Sequence, residues 1–165
     1  MMTRRSFGIK GIGTLIGAAV AVNNAKAETE KGRFEVTKTP EEWRKILTPE
    51  QYHVLREHGT ERARSSRLDK TYDPGVYKCA GCDQDLYSSE HKFDSGTGWP
   101  SFYQPISQSA VGTSTDKSWF MVRTEVHCSR CGGHLGHIFD DGPAPTGLRH
   151  CINGVAMKFV PKTSS

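Results

Sequence analysis

The sequence predicts a mainly β domain of antiparallel sheets, with two short helices ahead of it and a clip of four cysteines suited to zinc. Three observations carry that class. After about residue 70 the chain turns to short runs of Val, Ile, Tyr, Phe and Trp between Gly, Pro and Asp clusters, the texture of strands joined by turns. No helical hydrophobic pattern separates those runs, so the crossover helices of a parallel sheet are missing. Cys79-Ala-Gly-Cys82 and Cys128-Ser-Arg-Cys131 form a matched pair of C-x-x-C motifs. A chain of 165 residues gives one domain with a real core.

The first element is an address. Thr3-Arg4-Arg5-Ser6-Phe7, Lys10, the weakly apolar run 11–22 and Ala25-Lys26-Ala27 follow the order of a twin-arginine signal with an A-x-A cleavage site. Twelve residues rise about 18 Å as a helix, short of the roughly 20 residues that cross a membrane core. The expectation is a cleaved signal at 1–27 and a mature domain at 28–165. That domain would have no stable membrane insertion and would reside in the periplasm or another extracytoplasmic space. The alternatives are an uncleaved anchor and the ordinary secretory route, whose basic head an arginine pair also satisfies. Phe7 and the glycines of the apolar run favour the twin-arginine route.

The signal also explains the charge. The whole chain is formally +4, but 1–27 hold four basic residues and no acid, which leaves 18 basic against 18 acidic residues. A near-neutral body with mixed signs has no general attraction for phosphate backbones or anionic lipid. No nucleic-acid partner is expected.

Two helix starts come next. Thr39-Pro40-Glu41-Glu42 and Thr48-Pro49-Glu50-Gln51 each offer a capping hydroxyl, a proline in the first turn and a returning Glu or Gln. Gly59 is the natural stop of the second helix. The strand candidates are 76–78, 119–126, 135–139 and 148–160.

Two thiolates on each of two tight turns can close a tetrahedral shell around one ion. The 45 residues between Cys82 and Cys128 exceed a zinc-ribbon spacing and make this a clip between distant segments. Two disulfides, which an oxidising compartment favours, are the alternative. A thioredoxin-type motif lacks its βαβ setting. Four sulfurs around zinc leave no open catalytic position.

Cys151 is the odd cysteine. On a continuous strand, Arg149, Cys151, Asn153 and Phe159 share a face, and a neighbouring guanidinium raises the thiolate fraction of a thiol. A lone cysteine is equally a buried structural residue. His134 and His137 just upstream are acids near neutral pH. Three apart on a flat strand they would diverge, unless Gly136 marks a bulge that turns both inward. His150 points away from the Cys151 face, and His127 is a spare ligand beside a filled shell. Trp99 sits in a glycine-hinged loop, as a pocket wall or, on composition, more readily as a core plug.

The two knuckles, Gly98-Trp-Pro-Ser-Phe102, His134-Leu-Gly-His-Ile-Phe139 and Arg149-His-Cys-Ile-Asn153 occur in one order. Together they resemble the methionine-R-sulfoxide reductases of type B, the SelR-like family, over nearly the whole mature chain. The resemblance implies two antiparallel sheets in a β-tent (Mss4-like) fold, with structural Zn2+ held by Cys79, Cys82, Cys128 and Cys131 away from the active site. It implies Cys151 as nucleophile, Trp99 with Phe159 around the substrate, and His134, His137 and Asn153 holding or protonating the sulfoxide oxygen. Arg149 supports the thiolate. The substrates implied are oxidised peptides and proteins, and the chain is expected to be a monomer.

One departure stands out. Many members of that family carry a resolving cysteine where this chain has Thr97. With four of five cysteines assigned to metal, an external thiol, from a thioredoxin-fold protein or a small molecule, is expected to reduce the Cys151 sulfenic acid. A zinc-ribbon interaction module would leave Cys151 and the histidines without a role, and a metal-dependent hydrolase would need an open metal position.

Overall fold

The computed structural model describes residues 33–163, so the expected signal at 1–27 lies outside the described residues. Thr39 starts helix α1 (Pro40–Ile46) and Thr48 starts α2 (Pro49–Glu57). Each hydroxyl accepts from the backbone N–H of Glu42 or Gln51, whose side chain accepts the cap's own N–H in return. The left-handed residue that ends α2 is His58 (φ 57°), one before the expected Gly59. The N–H of Gly59 closes the turn on the His53 carbonyl at 2.9 Å.

Nine strands follow among the described residues: β1 (Gly75–Cys79), β2 (Asp85–Ser88), β3 (Lys92–Phe93), β4 (Ser101–Phe102), β5 (Val111–Asp116), β6 (Arg123–Cys128), β7 (His134–Phe139), β8 (Arg149–Ile152) and β9 (Met157–Pro161). They form a three-stranded sheet, β2-β1-β9, and a six-stranded sheet, β3-β4-β8-β7-β6-β5. Every pairing is antiparallel. The mainly β, two-sheet class is the one expected.

The core lies between the sheets. From the small sheet, Tyr87 stacks on Phe102 of the large one at 4.4 Å, and Tyr77 meets the same ring edge-on at 5.0 Å. Trp43, Leu55, Val126 and Ile152 are buried in the same cluster. Burying one side chain of the Phe102 kind contributes about 1.5–3 kcal/mol.

Several expected elements need correction. The candidate strand 148–160 is two strands in different sheets, because a short 3-10 turn at Gly154–Ala156 redirects the chain. Glu61 holds that turn, its carboxylate accepting from the N–H groups of Gly154 and Val155 at 2.8 Å each. Counting by twos from Cys151 therefore fails after Ile152. Candidate 119–126 begins as a strand only at Arg123, since Ser118–Phe120 form another 3-10 turn. Strands β2 to β5 were not expected. β3 and β4 have two residues each, and β5, Val-Gly-Thr-Ser-Thr-Asp, has no apolar alternation to announce it.

Candidate active site and sulfur cluster

Residues paired across antiparallel strands point to the same face. From β3 to β5 the register therefore lines up Phe93, Ser101, Cys151, His137, Glu125 and Ser114 in one row. The opposite row holds Phe102, His150 and Ile138, on the side of the small sheet. His137 is thus the direct cross-strand neighbour of Cys151. His150 lies behind the sheet as expected, bonded at 3.0 Å to the Tyr87 hydroxyl, and burial lowers its pKa to about 4.

His134 joins the front face through a bulge. His127 pairs with His134 and Val126 with Gly136, so Leu135 is the extra residue. The bulge is next to Gly136 rather than at it, because Gly136 answers a different demand. A Cβ there would collide with the carbonyl oxygen of Cys151. The His134 and His137 rings meet edge to face at 5.4 Å.

Each imidazole is held by a carboxylate. Glu125, only 4% exposed, accepts from Nδ1 of His134 at 2.9 Å, Nδ1 of His127 at 3.0 Å and the Ser114 hydroxyl at 2.5 Å. Burial alone would raise its pKa; these bonds outweigh it and hold the carboxyl well below the usual range. With the His134 Nδ1 proton facing Glu125, the buried Nε2 has no hydrogen-bond partner among the described residues. Asp116 takes Nε2 of His137 at 2.7 Å and Arg123 at 2.8 Å. The Ser118 hydroxyl and N–H, then His137, push the Asp116 pKa down. Burial lowers the His137 pKa against the pull of Asp116.

Both imidazoles, with His58, Thr60, Asp116, Ser118 and Arg123, line a cavity of about 430 Å³. Cys151 sits one strand beyond it, across from His137. A larger hollow of about 750 Å³ beside Glu61 and Val155 has no cysteine in its walls.

Cys151 is half-buried, and the Thr97 and Arg149 side chains beside it favour its ionised form. Burial raises its pKa by more than Arg149 and Thr97 lower it, which corrects the expectation of a thiol activated by its cation. The Arg149 guanidinium is also engaged by Asp141 at 2.8 and 2.9 Å and lies over the Phe139 ring at 4.4 Å, and the Asp141 charge adds a smaller upward push to that of burial.

The other expected residues fall in three places. Trp99 is half-buried rather than a core plug, and its indole N–H donates to the Glu61 carbonyl at 3.2 Å. The Gly98 hinge ahead of it has φ 92°, and its carbonyl takes the Arg64 N–H at 2.7 Å. Asn153 lies outside β8. Its Oδ1 accepts the Glu61 N–H and its Nδ2 donates to the Leu135 carbonyl, both at 2.9 Å. It therefore braces the bulge beneath the histidines through backbone bonds. Phe159 is paired with Tyr77 in the small sheet and touches that ring at 5.0 Å. It is behind the large sheet, on the face opposite Cys151, because β9 belongs to the other sheet.

Sequence reading missed Glu61, Asp116 and Glu125. Glu125 had a signal, since it alternates with His127 on one strand face. Asp116 and Glu61 had none, as their partners come from other segments.

The four remaining cysteines meet where β1 and β6 end. Cys79 and Cys131 sulfurs are 3.7 Å apart, Cys82 and Cys128 sulfurs 3.5 Å, and all four lie within 4.8 Å of one another. Tetrahedral zinc at a Zn–S length of 2.3 Å needs sulfurs about 3.8 Å apart, so the set fits that ion. None of the five cysteines is in a disulfide.

The site thus sets a half-buried thiol beside paired imidazoles, on a domain where four further sulfurs gather in a set that fits a zinc ion. The SelR domain matches residues 47–161. The peptide methionine sulfoxide reductase MsrB of Methanosarcina barkeri is 61% identical over 124 residues, 75% of this chain and 87% of that protein. The proteins of the same name from Leptospira interrogans and Agrobacterium fabrum are 56% and 54% identical over 126 and 127 residues. Those spans are 76% and 77% of this chain, and 96% and 94% of the relatives. The chain belongs to the SelR family, the type B methionine-R-sulfoxide reductases.

Proposed function

We propose that the protein reduces the R epimer of methionine sulfoxide in peptides and proteins to methionine, with Cys151 as the nucleophile. The pairing of Cys151 with His137 across β7 and β8 carries this reading. The Cys151 thiolate attacks the electrophilic sulfoxide sulfur. The oxygen becomes a leaving group only when protonated, and the two imidazoles beside the thiol are the acids at hand. The protonated oxygen leaves the substrate sulfur and bonds to the Cys151 sulfur as the transient S–S bond breaks, with its electron pair going to the substrate. Cys151 thus becomes a sulfenic acid, and the substrate sulfur is reduced by two electrons to the thioether. The raised thiol pKa gives little free thiolate at rest, so Arg149 and Thr97 act where the sulfur carries charge. Trp99 supplies an apolar wall for the substrate methyl group.

An external thiol then displaces water from the sulfenic acid, and a second thiol releases Cys151 from the mixed disulfide. A thioredoxin-fold protein or a small thiol suits this step, because Thr97 offers no internal sulfur. The four-cysteine cluster holds structural zinc, which clips the ends of β1 and β6 together. The order of elements in 1–27 supports twin-arginine export, in which a folded chain carries zinc already loaded in the cytosol. A chain rerouted through unfolded export should arrive zinc-poor, and full zinc loading by that route would overturn the pairing of address and metal.

The activity is tested on separated R and S sulfoxides of a methionyl peptide with dithiothreitol. Reduction of the R form alone is expected. Reduction of neither by folded, zinc-loaded protein would overturn the reading.

A further inference from the structure

Three hydroxyls form a chain beside Cys151. Ser101, the β4 partner of Cys151, donates its hydroxyl to the Trp99 carbonyl at 3.0 Å. Its oxygen lies 2.7 Å from that of Ser95, which lies 2.8 Å from that of Thr97. The Thr97 N–H also reaches the Ser95 oxygen at 3.4 Å and fixes the turn. The Thr97 side chain lies beside Cys151 and favours its ionised form, and Ser101 places the other end of the chain across the strand pair from the same residue.

A hydroxyl has one proton to donate and two lone pairs to accept, so proton counting sets the direction of the chain. With the Ser101 proton on the Trp99 carbonyl, Ser95 donates to Ser101 and Thr97 donates to Ser95. Only an acceptor is then left for Cys151, which gives its S–H to Thr97. Once that proton has left to solvent, every link can reverse. Thr97 donates to the thiolate, Ser95 to Thr97 and Ser101 to Ser95. The Trp99 carbonyl alone loses a donor.

We propose that Ser101, Ser95 and Thr97 form a reversible hydrogen-bond chain that accepts from the Cys151 thiol and donates to its thiolate, with Thr97 as the residue that touches the reacting sulfur. In this loop the chain places the donor that steadies the attacking sulfur. A bond to an ionised acceptor is about twice as strong as a neutral one, and bonds in series polarise one another. The thiolate is therefore favoured most by Thr97 and less by each link behind it. The charged and titratable groups that face Cys151 are Arg149 on its own strand, His137 across β7, and Asp141 behind Arg149. None of them belongs to the loop, so changes at Thr97 leave them in place.

The catalytic meaning rests on Cys151 being the nucleophile, whereas the test measures ionisation alone. The rate of Cys151 alkylation by iodoacetamide is followed from about pH 6 to 11 in zinc-loaded protein, by mass spectrometry of the Cys151 peptide. Thr97→Val keeps the shape and removes the donor, and should raise the midpoint by about one unit. At pH 7 its alkylation should slow about threefold rather than tenfold, because a more basic thiolate is more nucleophilic. Thr97→Ser should titrate as wild type, and Ser95→Ala should shift less than Thr97→Val. The proposal is overturned if Thr97→Val titrates as wild type, or if Thr97→Ser shifts as far as Thr97→Val. Either failure leaves the nucleophile reading intact, since loss of reductase activity in Cys151→Ser decides that separately.

Discussion

The two sulfur sites of this protein are assembled by opposite rules. The four-cysteine cluster takes two ligands from each of two tight turns, and its geometry follows from spacing along the chain. The Cys151 site takes its neighbours from strand register, with one residue each from β4, β7 and β8 in a row. The cluster joins two sheets, and its thiols touch chiefly one another. Cys151 stands apart, with hydroxyls on one side and imidazoles on the other.

Exchanging one ligand at each site breaks that comparison most directly. Cys151→Ser should lower reductase activity by more than about a thousandfold while zinc content is unchanged and Tm stays within about 2 °C. Cys128→Ser should release the metal and lower Tm by about 10 °C or more, as read by calorimetry and metal analysis. If Cys151→Ser lost zinc, or Cys128→Ser kept both zinc and Tm, the division of labour would be wrong.

A smaller effect sharpens the chemical side. Glu125→Gln should lower activity about tenfold to a hundredfold by releasing His134 and His127, with zinc retained. The same carboxyl makes stability depend on pH. Its pKa is depressed on folding, so its contribution is fully present above the ordinary value of 4.5 and is lost as pH falls through the folded value. In urea unfolding, the wild-type advantage over Glu125→Gln should be constant above about pH 5 and shrink toward pH 3. An advantage that grew on acidification would have the wrong sign. Smallest is Thr48→Ala, which removes one half of the α2 capping box. It should cost about 1 kcal/mol in urea unfolding and leave activity unchanged.

The same contrast explains what the sequence made legible. Two helix starts were readable to the residue, because caps are local bonds across three positions. The knuckles were readable because their ligands come in pairs. Cys151, His134 and His137 were readable as a group through their motifs, but not as a surface. That needed the register of β7 against β8 and the bulge at Leu135. Asn153 and Phe159 show where period-two reasoning breaks down. The turn at Gly154–Ala156 is fixed by Glu61, about 90 residues earlier in the chain, with no local mark of a change of sheet. The Cys151 pKa was misjudged in direction because the burial of its thiol, and the lesser push of Asp141, depend on packing that could not be placed from sequence. Long-range partners are what a single sequence withholds.

The central claim is that Cys151 itself takes the sulfoxide oxygen. It is tested most directly by one turnover without reductant. Zinc-loaded protein is mixed with an equimolar R-sulfoxide peptide, trapped with dimedone, and mapped by mass spectrometry. One methionine should form per chain, with a dimedone adduct on Cys151 and with Cys79, Cys82, Cys128 and Cys131 unmodified. Methionine formed while Cys151 stayed a free thiol would contradict the claim.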